Sequence, residues 1–224
     1  MKYIVQDKNS NYINVIKEII DNRKQEIFDF FNEENCNLDC NIYIYDSIES
    51  MINGLEERGF GKFPSYMCAC QKDEDNSINY FIPKDNPSEN EWSKEAYKNV
   101  VFHELIHAIE FNIYGKHPEW LLEGIAKILD GTYSKGIKNL LENYINKIEI
   151  PNQKEIEEEF GMHEYDSYDY AYLMVSYLIE IYGKDKFLEC LKSKELFYEI
   201  YSNSLLADSI EYFNKKCNLV NNVK

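Results

Sequence analysis

His103-Glu104-Leu105-Ile106-His107, followed by Trp120-Leu121-Leu122-Glu123-Gly124, is the pair of segments from which the fold and the chemistry of this chain are read. On an α-helix, residues four apart stand one turn above the other on one face. His103 and His107 can therefore offer two imidazole nitrogens to one ion. A catalytic zinc takes three protein ligands and leaves a fourth position for water, which makes Glu123 the third candidate ligand and predicts one Zn2+ per chain. Glu104 points away from the line of ligands but can reach that water, take its proton as general base and pass it to a leaving amine. Without a metal, the same residues would be one exposed and one packed helix histidine and a solvated carboxylate. The helical context and the third carboxylate favour the metal.

That context is a pattern. From Glu91 to Tyr114 the apolar residues Trp92, Ala96, Val100, Phe102, Leu105, Ile106, Ile109 and Ile113 recur at three- and four-residue steps, and Gly115 follows as a stop. A second helix is predicted to start with Pro118 in its first position and to run through Trp120, Leu121, Ile125, Ile128 and Leu129 to a stop at Gly131. Two antiparallel helices joined by a short turn would bring Glu123 roughly level with the histidines.

Working outward, Tyr3 to Val5 reads as a strand. Ser10 is placed to cap a long helix whose inward residues are Ile13, Ile16, Ile19, Ile20, Ile27, Phe30 and Phe31. Ile42 to Tyr45 is a strand, and Asp46 can cap a helix through Leu55. Phe63 to Cys70 and Ile78 to Ile82 read as strands joined by the polar turn from Lys72 to Asn76. After Gly131 the spacing is helical throughout: Ser134 to Ile148, Asn152 to Phe160, Tyr168 to Tyr182, Asp185 to Leu191 and a last stretch to about Cys217, with Gly161 and Gly183 as stops. The expected fold is α+β, a small mixed or antiparallel sheet packed on the HExxH helix and then an all-helical C-terminal half. Residues 1–131 would form the catalytic subdomain, and 132–224 a helical subdomain closing the cleft.

A chain of 224 residues with a net charge of −16 can bury a sizeable core but shows no basic stripe for nucleic-acid phosphates. Neutral or basic peptides suit that charge better. The N-terminal stretch reaches Asp7 too soon for a secretory signal, and no run approaches the roughly 18 apolar residues of a membrane span, so a cytoplasmic protein is expected. Cys36, Cys40, Cys68 and Cys70 lack zinc-knuckle spacing and, with Cys190 and Cys217, read as free thiols of a reducing compartment. The run from Glu155 to Glu159 reads as a solvated helix face. The string Tyr165, Tyr168, Tyr170 and Tyr172 is denser than a core needs, so one of these tyrosines is a candidate for the active site.

From Asn41 to about Gly131 the chain resembles the gluzincin metallopeptidases, in particular the compact bacterial domains called peptidase MA-like. The resemblance rests on the strand Asn41–Asp46 with its following segment, the strand ending in Tyr80-Phe81-Ile82-Pro83, and above all on Val101–Ala108 and Pro118–Ala126. It implies a zincin-like fold, peptide or protein substrates, His103, His107 and Glu123 as zinc ligands, and Glu104 as base to a zinc-bound water. It extends to Tyr168–Gly183, where relatives open the helix with a tyrosine facing the metal. Tyr168 is therefore preferred over His163 as the donor to the oxyanion, since its position follows from the helical pattern. The resemblance further implies that Ile78 to Ile82, or its neighbour, offers backbone groups to an extended peptide, the alternative being an ordinary paired strand. Two departures narrow the placement. No Gly-x-Met-Glu-Asn segment precedes Val101, which disfavours aminopeptidase action, and Gly-x-Ala after Glu123 differs from the Ala-Asn-x-Phe-Ala run of repressor-cleaving regulators. Hydrolysis of peptide bonds is expected. The alternative is a zinc-retaining peptide-binding or regulatory module without turnover.

Overall fold

Hydrophobic alternation along two strands organises the first half of the molecule. The computed structural model describes residues 1–5, 11–34, 39–61, 69–72, 74–81, 94–133, 136–162 and 166–219. They form two compact units, Met1–Lys116 and His117–Lys224.

In the first unit β1 (Lys2–Val5) and β2 (Asn41–Tyr45) are parallel neighbours, joined through α1 (Asn11–Phe31), because a parallel pair needs a long crossover. β3 (Ala69–Lys72) and β4 (Ser77–Phe81) form an antiparallel hairpin that turns through Asn76, and β4 also pairs parallel to β2, giving the order β1-β2-β4-β3. The sheet is mixed. Register sets Ile42 beside Ile78 and Ile44 beside Tyr80, all fully buried on one face. On that face the Tyr80 hydroxyl donates to the Val101 carbonyl at 2.8 Å, tying the sheet to α3 (Lys94–Tyr114). The opposite face carries Tyr45 and Cys70, covered by Met51 and Leu55 of α2 (Ile48–Glu57). Burying each such aliphatic side chain contributes about 1.5–3 kcal/mol.

Several local expectations shift by small amounts. The cap of α2 is Ser47, whose hydroxyl accepts from the Ser50 N–H at 3.1 Å, while Asp46 accepts from the Ser50 hydroxyl instead. In α1 the buried aromatic residues are Phe28 and Phe31; Phe30 is only half-buried, because 27, 28 and 31 share the face that packs on α3. The guanidinium of Arg23 lies 3.4 Å from the centre of the Phe102 ring across that contact. β4 is an interior strand with both edges paired, so it cannot accept a peptide; among the described residues its neighbour β3 is an outer strand, as β1 is on the other side of the sheet. Arg58 secures that hairpin. Its guanidinium donates to Asp75 at 2.7 Å, to Ser77 at 3.2 Å, to Tyr45 at 3.3 Å and to Asn79, and Asn79 donates to the Cys70 carbonyl at 3.3 Å. Buried Ser77 and Asn79 thus have their polar groups met. Ser10, Cys36, residues 62–68, Ile82, Pro83, residues 91–93, Ser134, His163 and Tyr165 lie outside the described residues.

The second unit is helical: α4 (Glu119–Leu129), α5 (Gly136–Asn143), a short 3-10 turn (Ile145–Lys147), α6 (Gln153–Glu158), α7 (Ser167–Tyr182), α8 (Lys184–Cys190), α9 (Lys194–Phe197) and α10 (Leu205–Lys216). Its core is α4 packed on α7, with α10 on α7's flank. Pro118 sits at the N-cap of α4 rather than in its first turn. Asn152 and Glu155 cap α6 reciprocally, the Asn152 side chain accepting from the Lys154 N–H at 2.9 Å and Glu155 from the Asn152 N–H at 3.0 Å. α7 is capped by Asp166 and stops at Gly183, where φ is +82°. Among the described residues no helix is long and apolar enough to cross a membrane.

Candidate metal centre

Between Val101 and Glu110 most of the circumference of α3 lies in the core: Val101, Phe102, Leu105, Ile106, Ala108, Ile109 and Glu110 are all fully buried. His107 is buried at 9% exposure, while His103 and Glu104 are half-buried. The two imidazoles meet: their Nε2 atoms lie 3.0 Å apart and the rings cross at 85°. Zinc–nitrogen bonds of 2.0–2.1 Å in a tetrahedral site put two ligand nitrogens roughly 3.3 Å apart. The pair is therefore spaced, within a few tenths of an ångström, as two ligands of one ion.

Glu104 belongs to a different side of the helix. Burial pushes the Cys70 thiol up to about 12, and the Glu104 charge is the next contributor, which places that carboxylate toward β3, the strand α3 packs against. Glu110, three residues beyond His107, is a wholly buried carboxylate. Its one signal was a charge set within the apolar run Ile106, Ile109 and Ile113. Burial, then Glu33, then Glu110 push the Tyr114 phenol up to about 12.

Glu123 stands half-buried on α4 in the second unit, between Leu121 and Ile125 of the core. The glycine that follows it is dictated by close packing. A Cβ on Gly124 would lie 2.5 Å from Val175 Cγ2 and 2.6 Å from the Ala171 carbonyl oxygen, so α4 can approach α7 this closely only with no side chain there. We expect Gly124→Ala to cost about 1–3 kcal/mol through forced separation of the two helices. Denaturant unfolding measures it. An unchanged value would mean that the helices yield without effort.

One turn further along α4, Lys127 lies with its Nζ 5.1 Å from the Tyr168 ring centre and 3.8 Å from Asp130. Tyr168 itself is 37% exposed in the first turn of α7, its N–H bonded to Asp166 at 3.1 Å and its ring edge-on to Phe160 at 5.1 Å. The rest of the tyrosine string divides: Tyr170 is a core residue, and Tyr172 stacks on Tyr133 at 4.3 Å. The Tyr133 hydroxyl donates to Asp169. Burial, and then that carboxylate, push the phenol of Tyr133 upward, and burial raises Asp169 as well. Neither Tyr133 nor Lys127 stood out in the sequence, since a tyrosine and a lysine beyond a motif carry no periodic signal. Of the cysteines, Cys40 and Cys70 are buried free thiols, Cys190 is likewise free and buried, and Cys217 is free and half-buried. Cys36 and Cys68 lie outside the described residues.

Compared with protein families, residues 37–196 match the model of the peptidase MA superfamily. No curated protein matches the chain.

Proposed function

The chain belongs to the peptidase MA superfamily, and on that premise we propose that it is a zinc-dependent peptidase, with His103, His107 and Glu123 as ligands, Glu104 as general base and Tyr168 as oxyanion donor. The observation that carries the proposal is the 3.0 Å approach of the His103 and His107 Nε2 atoms on α3. Glu123, in the Trp120–Gly124 segment, is the third ligand that the sequence supplies. Two imidazoles and a carboxylate are a donor set that suits zinc and leaves a position open.

When bound, zinc supplies Lewis acidity, polarising a carbonyl and making water a better nucleophile at neutral pH. The residues do the rest. Glu104 accepts a proton as water oxygen attacks the scissile carbonyl carbon, and it returns a proton to the nitrogen as the carbon–nitrogen bond breaks. The Tyr168 phenol donates a hydrogen bond to the oxygen that gains negative charge, without changing its own protonation state. The chain's net charge of −16 favours neutral or basic peptides over acidic ones. Cytoplasmic location, and a division of labour between a catalytic part at 1–131 and a helical part at 132–224, belong to the same proposal.

A mixed peptide library incubated with the purified protein tests it. Cleavage is expected, abolished by a chelator and restored by added zinc. Peptides retained but uncut, with zinc bound, would instead identify a binding module without turnover.

A further inference from the structure

Tyr168 presents a positional problem. A hydrogen bond that stabilises a transition state must be held within about half an ångström of its working geometry, yet this phenol sits in a first helical turn and is 37% exposed. Phe160 stands edge-on to the ring and the Lys127 ammonium lies over it, while Ser167 and Tyr170 bury the other side of the same turn. Tyr133 adds a hold on the helix itself. Tyr133, just beyond the end of α4, lays its ring on Tyr172 with the planes 20° apart and 4.3 Å between centres, and donates its hydroxyl to Asp169. Asp169 follows Tyr168 in the chain, and Tyr172 is one turn beyond it on the same face of α7. One side chain therefore grips α7 at two points, one beside Tyr168 and one a turn further on, from a backbone continuous with the helix that carries Glu123.

We propose that Tyr133 is a positioning residue for Tyr168, setting the rotation of the first turn of α7 against α4 so that the Tyr168 phenol keeps its place relative to Glu123. The inference rests on the reading of Tyr168 as oxyanion donor. Burial supports it, since a phenol pushed upward stays protonated and can act toward Asp169 only as a donor. Within the same patch Lys127 lowers Asp169 and lies 3.8 Å from Asp130, which offsets the carboxylates gathered there. Asp166, the cap of α7, adds to the upward push on both Tyr133 and Asp169.

A double-mutant cycle with zinc-loaded full-length protein tests the assignment, with cleavage of a peptide pool and zinc content read together. Tyr133→Phe is expected to lower kcat about tenfold to a hundredfold, the range for a misplaced catalytic group, with KM and zinc content unchanged. In a Tyr168→Phe background the same change should have no further effect, because there is no phenol left to position. Asp169→Asn keeps an acceptor for Tyr133 and should retain activity, whereas Asp169→Ala should behave like Tyr133→Phe and serves in its place if that variant does not fold. Effects of Tyr133→Phe that multiply those of Tyr168→Phe, loss of zinc, or wild-type kcat would each overturn the positioning role. A fully active Tyr168→Phe would instead overturn the assignment of Tyr168 itself, whatever Tyr133 does.

Discussion

Glu104→Gln is expected to retain zinc and to lose peptide hydrolysis by a factor of at least about a hundred, the lower end of what a positioned proton acceptor contributes. The substitution preserves the size and polarity of a half-buried side chain on a helix mostly enclosed by core. It removes only the basic carboxylate. A carboxamide oxygen can still accept a hydrogen bond from water but does not take its proton at neutral pH, so the attack loses its base and the leaving nitrogen its acid. A hundredfold loss corresponds to about 2.7 kcal/mol of barrier. Zinc per chain, measured beside turnover on the same preparation, separates the roles. Metal and activity lost together would make Glu104 a ligand or a structural group, and retained activity would remove it from the mechanism.

Replacing the histidines is expected to act earlier, on the metal itself. Their Nε2 atoms, 3.0 Å apart, are two of three proposed ligands, and zinc affinity is the sum of a few strong bonds. Removing one of them should weaken binding roughly a hundredfold to a thousandfold, and His103→Ala with His107→Ala should leave no tightly held zinc. His103→Ala is the cleaner probe, because His103 is half-buried, whereas His107 is buried at 9% exposure and its truncation also leaves a void in the core. Equilibrium dialysis against a zinc buffer gives the affinities. Full metal content in the double variant would end the proposal.

Local physics made much of this molecule readable in one dimension. The spans of α3, α4 and α7 follow from three- and four-residue spacing and from the stops at Gly115, Gly131 and Gly183, because a helix is built from contacts within a turn or two of chain. Alternating Ile42 and Ile44 marked a strand for the same reason, and the approach of His103 to His107 is a consequence of helix pitch alone. Where most of a helix is buried, as on α3 from Val101 to Glu110, pattern still found the helix but could not say which residues face what.

What tertiary structure alone decided involves partners distant in the chain. Strand order was one such matter: β4 became interior and β3 an outer strand because β4 found β2 across a long separation, and no property of the Ile78–Phe81 segment announces that. Gly124 was legible as part of a motif, but the need for it to be glycine appears only when Ala171 and Val175 arrive from α7. Tyr133 looked like any loop tyrosine until Asp169 and Tyr172 closed on it, and Arg58 like any helix-end arginine until Asp75, Ser77 and Asn79 surrounded it. Periodicity records which face of an element is apolar, and therefore the elements and the histidine pair were determined by the sequence by itself. Which faces meet depends on the joint packing of segments far apart in the chain, so the outer strand, the close approach at Gly124 and the clasp on the Tyr168 turn were decided only by the tertiary structure.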